Sequence, residues 1–314
     1  NAGWNLIGYT ARYNMTNEAA VGYLGPSVYN AAQAMYAFVH IDKTGGRTVR
    51  AILRNSLGTG HCEIRTPYAR RPADPNDRSV YVTGDDLRKV RRVYRGLRGI
   101  AGHNVKPYSD LELACPEVRF FTWLRDPVAR YLSHYKNKAG SYGREDFERW
   151  AAAEWTHDFQ TRTLAGAPDV AKAIDLLTRR IGFVGLTEHF DESLLMLGQW
   201  LAEPAFRPEY RPVNQLAEKS RSRDVAREQT DLGYLQEPAV RARLRQINAL
   251  DQQVYDFAAR ELFERQRRSY VGDLAADLAA LRERNRRLTE WREPLSSRLL
   301  RNWVYKPALV LRLA

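Results

Sequence analysis

Three groups of residues in this chain could do chemistry on an anion. The first is Lys43-Thr44-Gly45-Gly46-Arg47-Thr48. It follows a short apolar run at 35–41, and after it Val49, Ile52, Leu53 and Leu57 recur at helical spacing until Gly58. A strand that ends in a small-residue loop and then starts a helix offers an anion unpaired backbone N–H groups and the positive end of a helix dipole. Gly45 and Gly46 let the backbone come close. Lys43 adds a mobile positive charge, and Thr44 and Thr48 add hydroxyl donors. The glycines follow the lysine instead of preceding it, so this is not the Walker loop of ATPases and simple kinases. Alone, the loop supports an anion at a helix start, and a glycine turn joining strand to helix is also a common structural joint.

The second group is Arg125 with Ser133. Arg125 stands at the end of the apolar run Val118–Leu124, before Asp126-Pro127, a helix cap followed by a proline suited to the first helical position. An arginine there can clamp a phosphate with two bonds. Ser133, about two turns into the helix, can offer its hydroxyl to the same anion. The third group supplies a base. Activating a hydroxyl near neutral pH favours histidine, and the chain has His40, His61, His103, His134, His157 and His189. His103 follows the short run Gly99-Ile100-Ala101-Gly102, which puts it at the mouth of a strand, while the residues alone leave all six as candidates.

The elements that must position these groups alternate. Strands are predicted at 35–41, Val118–Leu124 and 183–186. Helices are predicted after each loop, at 86–98, and in several pieces over 144–180 and 190–201. Residues 66–80 and 203–237 read as loops, and 240–263 as one strong amphipathic helix. Over 273–292, Leu274, Leu278, Leu281 and Leu288 punctuate a charged helix that reads as an arm or a coiled coil. The order predicts an α/β fold: a doubly wound, mostly parallel sheet flanked by helices, with a C-terminal helical arm. Ligands in such sheets sit at the carboxyl ends of the strands. Residues 1–34 are read as an N-terminal extension, 35–265 as the main domain and 266–314 as the arm and tail.

Bulk properties narrow the classes. Of 314 residues 44% are apolar, enough for a real core, and the net charge is +12. Eight lysines leave 41 of the 49 basic residues as arginine. A high-GC genome would account for much of the arginine-to-lysine ratio but not for the net charge, which points to an anionic ligand. Two cysteines, Cys62 and Cys115, are too few for a disulfide-stapled scaffold; two buried thiols or one bond fit. No metal-ligand spacing occurs. No apolar run reaches membrane-spanning length. The start at Asn1-Ala2-Gly3 reads as processed or truncated, with Met35 as a candidate native start. Asn14-Met15-Thr16 is a glycosylation sequon by pattern only.

The motifs also carry a resemblance. His40-Ile41-Asp42-Lys43-Thr44-Gly45-Gly46-Arg47-Thr48 closely resembles the 5′-phosphosulfate loop of the glycan sulfotransferases that include heparan sulfate 2-O- and 6-O-sulfotransferases. That family commonly has Ser or Thr where Arg47 stands. Phe120-Phe121-Thr122-Trp123-Leu124-Arg125-Asp126-Pro127 and the helix through Ser133 and Tyr135 resemble the family's site for the nucleotide 3′-phosphate, with Arg and Ser the same eight residues apart. Gly102-His103 stands where the family has a Gly-His before that motif, and His103 resembles its catalytic base. Two further stretches, from Phe159 to Gly166 and from Phe183 to Ser193, are similar as well.

The resemblance implies a P-loop-like fold and in-line transfer from 3′-phosphoadenosine 5′-phosphosulfate (PAPS) to a hydroxyl. The product is 3′-phosphoadenosine 5′-phosphate (PAP), and no metal is required. It implies Lys43, Thr44, Gly45, Gly46, Arg47 and Thr48 around the phosphosulfate, Arg125 and Ser133 on the 3′-phosphate, and Ser220 in a late basic loop over the nucleotide. Lys43 would stabilise the leaving phosphate, and Gln160 and Arg162 would contact the acceptor or cofactor. The acceptor is expected to be a glycan, anionic given the Arg-rich segments 65–78 and 88–98, and no nucleic acid is expected. The C-terminal arm suggests peripheral membrane contact or self-association. Bacterial enzymes of this kind work in the cytoplasm, where PAPS is made; the Golgi lumen of mammalian relatives is the alternative. Competing readings are a non-catalytic polyanion- or nucleotide-binding protein on the same fold and a nucleotide-dependent kinase.

Overall fold

The apolar runs become the middle of one parallel sheet. A computed structural model of the chain describes residues 35–66, 80–138, 144–211 and 233–310. These lie within one unit, Gln33–Ala314. The strands are β1 (Met35–Val39), β2 (His61–Glu63), β3 (Gly99–Gly102), β4 (Val118–Leu124) and β5 (Ile181–Leu186). They hydrogen-bond in the order β2-β3-β1-β4-β5, each pair parallel. β1 and β3 are buried along their whole length, which is why their sequences read as unbroken apolar or small-residue runs instead of alternating ones. The sequence does not announce β2. Its three residues, His61-Cys62-Glu63, carry no apolar run, and pairing to β3 makes them a strand.

Helices cover the sheet. They are α1 (Gly46–Leu57), α2 (Gly84–Val93), α3 (Pro127–Lys138), α4 (Arg144–Ala152), α5 (Phe159–Ala165), α6 (Val170–Arg179) and α7 (Phe190–Leu201), then α8 (Pro238–Gln246) and α9 (Ala249–Phe257). α2 begins two residues before its predicted start because Thr83 and Asp86 form a reciprocal capping box.

The single amphipathic helix predicted at 240–263 is instead two helices, with the break at Ile247-Asn248. Asp158 Oδ1 accepts from the N–H groups of Leu250 and Asp251, at 2.9 and 3.2 Å, and starts a new helix there. α9 then runs through a π-helical stretch, Ala258–Phe263, into α10 (Glu264–Arg268). The main core lies along both faces of the sheet, with Phe38 stacked on Phe121 at 4.6 Å and Trp123, Phe183 and Trp200 beside them. Cys62 and Cys115 are both buried free thiols.

The C-terminal arm is helical and folds back on the domain. α11 (Leu274–Arg287) packs on α7, with Leu281 buried. Arg282 pairs with Asp191, and Arg284 with Glu209. α12 (Leu295–Leu299), a π-helical stretch (Leu300–Tyr305) and α13 (Lys306–Val310) follow. Among the described residues no helix is long and apolar enough to cross a membrane. Residues 1–34, with the sequon pattern, lie outside the described residues.

Candidate active site

The chain leaves β1 toward β2 on one side of the sheet and leaves β4 toward β5 on the other. The crevice between the carboxyl ends of β1 and β4 is therefore the topological switch point, where open α/β sheets receive ligands. The Lys43 loop leaves β1 on one side of it and Arg125 follows β4 on the other. Arg125 Nη1 donates to the Lys43 carbonyl at 3.2 Å, so the two anion motifs, far apart in sequence, join here.

The loop is bent for a purpose. Lys43 has φ 70° and Gly45 φ 82°, both left-handed. A non-glycine residue there stores about 1–3 kcal/mol of strain and persists only when its surroundings hold it. Three bonds do so: Arg125 on the Lys43 carbonyl, Thr44 Oγ1 to the Ile41 carbonyl at 3.0 Å, and Thr187 Oγ1 to the Thr44 carbonyl at 2.9 Å. Left-handed residues between right-handed ones turn successive N–H groups inward as an anion nest. α1 starts immediately after, with no acidic residue in its first turn. The N–H groups of Thr48 and Val49 return to the Gly45 carbonyl, which leaves those of Gly46 and Arg47 as the first-turn groups without an intrahelical acceptor. Thr44 is not a ligand donor in this arrangement, since its side chain is fully buried and engaged by Ile41. Arg47 is exposed and Thr48 partly accessible.

His103 follows β3, next to β1. Its Nδ1 lies 3.2 Å from the His40 carbonyl. A carbonyl only accepts, so Nδ1 carries the proton and Nε2 holds the lone pair. Nε2 is 3.5 Å from Asp42 Oδ1. The ring stacks on His40, centroids 4.1 Å apart. With 45% of the side chain accessible, His103 sits at the boundary of core and solvent. Protein packed around it displaces enough water to lower its pKa, helped by Arg50 and Lys106 and opposed by Asp42. The ring is thus a neutral acceptor at neutral pH.

His40 is the hidden member of this group. It is 3% accessible, its Nδ1 has no hydrogen-bond partner, and burial, with His103 and Arg50 nearby, holds its pKa well below the usual value. Gly46 rests on its ring: a Cβ there would lie 2.0 Å from His40 Cδ2. The anion loop, His40 and His103 are therefore packed in series.

The other histidines are engaged elsewhere. His61 is buried, its pKa pushed down to about 3 by desolvation, and it bonds Tyr36. His134 is buried among Trp150, Trp155 and Phe159. His157 Nε2 lies on the Ala151 carbonyl, and His189 lies beside Glu192.

The Arg125 side is held by a chain of satisfied bonds. Asp126 caps α3 as predicted, accepting from Ala129 N at 2.7 Å. Gln160 grips the Arg125 backbone from both ends of its amide, accepting from N at 3.0 Å and donating to O at 2.9 Å. Gln160 is 1% accessible; expected as an acceptor or cofactor contact, it positions Arg125 instead. Asp251 in turn caps α5, accepting from Gln160 N, Thr161 N and Thr161 Oγ1 at 2.7–3.0 Å. Burial raises its pKa, against the nearby Arg130 and these donors. Arg130 is itself fully buried, over the Phe159 ring at 4.4 Å. Ser133 is partly accessible on α3. Arg162, on α5, has a buried Nε with no partner. Ser220 lies outside the described residues.

Asp42, His40 and Thr187 lie within the motif segments, where no local signal marks the contacts they make. Asp251 carries no local signal at all. In chemical terms the crevice offers inward N–H groups, Lys43 and Arg125 for two anionic groups, and a neutral imidazole at its edge.

No protein-family model matches the chain, and no curated protein sequence does. A crystal structure described as that of a sulfotransferase from Alicyclobacillus acidocaldarius is similar at TM-score 0.40 and 16% identity, covering 75% of this chain and 99% of that one. A likeness of that degree assigns neither fold nor activity to this chain, whose fold is read from its own parallel sheet order.

Proposed function

We propose that the chain is a PAPS-dependent sulfotransferase acting on a hydroxyl, with a glycan as acceptor. The observation that carries this reading is the joining of the strained Lys43 loop to Arg125 across the switch point, with His103 at the same sheet end. The donors fit the group: a nest and helix start for the phosphosulfate, Arg125 with Ser133 for the 3′-phosphate. Bound there, PAPS would supply the sulfuryl group: the bond from the acceptor oxygen to sulfur would form as the bond from sulfur to the 5′-phosphate oxygen breaks, with PAP as the leaving group.

His103 Nε2 takes the proton of the attacking hydroxyl, with Nδ1–H fixed on the His40 carbonyl. Asp42 lies where the new Nε2–H charge develops and stabilises the imidazolium. The Lys43 ammonium offsets charge on the departing oxygen. Positioning and electrostatics dominate such in-line transfers, and the loop-to-Arg125 bond fixes the distance between the two anion sites.

Thermal shift with PAP, and with ATP as the contrast, both without magnesium, tests the reading. At a hundredfold excess over Kd, PAP should stabilise the fold by about 2.7 kcal/mol. Absence of any PAP shift sinks the proposal. Transfer of labelled sulfate from PAPS to a panel of neutral and anionic oligosaccharides then identifies the acceptor.

A further inference from the structure

The last described helical segment, from α12 through the π-helical stretch to α13, has two apolar faces. The inner face is used. Tyr305 and Leu309 are 1% and 3% accessible, Tyr305 meets Tyr94 edge-on at 5.5 Å, and its hydroxyl accepts from Arg65 N at 3.0 Å. The outer face is bare. Leu295, Leu299, Trp303 and Val304 are 58, 46, 76 and 48% accessible, four of the six exposed large hydrophobics among the described residues. Leu295, Leu299 and Trp303 are four apart and form one stripe. The wide turn of the π-helical stretch keeps Val304 outward while Tyr305 turns in.

Single exposed hydrophobics are ordinary, but a contiguous stripe marks a partner. The charges beside it say which kind. Arg298 and Lys306 are exposed on this segment; just before it Arg292 and Glu290 are exposed with opposite charge. Residues 294–314 contain no Asp or Glu. The nearest acid inward of them, Glu293, is engaged by Arg54 at 3.4 Å and by Arg301. A stripe of Leu and Trp edged by cations with no acid is the composition of a helix that lies in a lipid interface, its indole at the headgroup level and its basic side chains on phosphate. A second copy of this chain fits worse, because facing copies would oppose cation to cation with no acid to pair.

We infer that the Leu295-Leu299-Trp303-Val304 face docks flat on an anionic membrane surface. The segment lies on the bilayer and does not span it. This inference is independent of the proposed chemistry.

The test is co-sedimentation of the full chain with vesicles of phosphatidylcholine alone and of phosphatidylcholine mixed with phosphatidylglycerol, at low and high salt. Binding should require the anionic lipid and weaken with salt. A Leu299→Glu/Trp303→Glu variant should bind on the order of tenfold more weakly or worse, with an unchanged melting temperature showing that it folds. Arg298→Glu/Lys306→Glu should lose the preference for anionic lipid. Three results would overturn the inference: no binding of the unaltered chain to anionic vesicles, equal binding by the Leu299/Trp303 variant, or a dimer in sedimentation velocity that this variant dissolves, which would assign the face to a second copy.

Discussion

The two sides of the crevice are built on opposite plans. On the β4 side the backbone beside Arg125 is held from several directions: Gln160 bonds it twice, Asp251 caps the helix that carries Gln160, and Glu188 takes the Asp126 N–H at 2.9 Å. On the β1 side the backbone is left-handed at Lys43, His40 Nδ1 is buried without a hydrogen-bond partner, and His103 Nε2 faces Asp42 Oδ1 at 3.5 Å. A saturated network resists change and fixes a charge in space. A strained, under-satisfied one is where a ligand and a proton transfer can lower the energy. In the proposed reading one side holds and the other reacts, and each side can be broken separately.

The largest effect belongs to the reacting side. His103→Ala should cut turnover by about 10²–10⁴-fold, because the proton acceptor is gone, while PAP binding by calorimetry stays near that of the unaltered chain. Turnover that survives intact removes His103 from the chemistry. On the holding side, Asp251→Ala should cost about 3 kcal/mol in denaturant unfolding. It uncaps α5 and removes a carboxylate that interacts electrostatically with the buried Arg130. Its PAP affinity should fall too, since Gln160 no longer steadies Arg125; a stable variant with normal affinity would mean that the network does not serve the site.

Next in size is Gly46→Ala. Its Cβ must displace the His40 ring, and overpacking of this kind costs about 1–3 kcal/mol. The displacement should reach His103 through the stack, so kcat should fall along with stability. A loss of stability with unchanged kcat would show that His40 does not pass position to His103.

How much of this was legible follows from where the signals lie. The loop at 43–48, Arg125 and the Asp126 cap are legible because each depends on neighbours in sequence, glycines after a strand and a cap before a proline, while His103 stands apart from the other five histidines only through the resemblance of Gly102-His103. The α/β order was readable from apolar runs for the same reason. What escaped depends on pairing across the fold. β2 exists only through β3. The break at Asn248 exists because Asp158, some ninety residues earlier, takes the N–H groups of Leu250 and Asp251. Gln160 looks like a polar contact in sequence and becomes a buried brace only when Arg125 arrives beside it. Thr44 reads as a donor to the ligand until the turn folds its hydroxyl onto Ile41.

The smallest effect separates a reacting role from a structural one most sharply. Asp42 Oδ1 lies 3.5 Å from His103 Nε2, and both side chains are more than a third accessible. Solvent screens the pair, so the interaction is worth about 1 kcal/mol. The carboxylate favours the imidazolium and raises the His103 pKa, against burial, Arg50 and Lys106, which lower it. Asp42→Asn removes the raising influence, and the His103 pKa falls further. Two consequences follow with opposite sign. The acid limb of the kcat/KM profile, which reports the free base, moves to lower pH. The plateau drops by about fivefold, because the imidazolium formed in the transition state loses its counter-charge. The two profiles should therefore draw together on the acid side and separate near neutrality. A variant that merely loosens the loop lowers the whole profile without moving the limb, and a limb that stays in place would show that Asp42 does not act on the base.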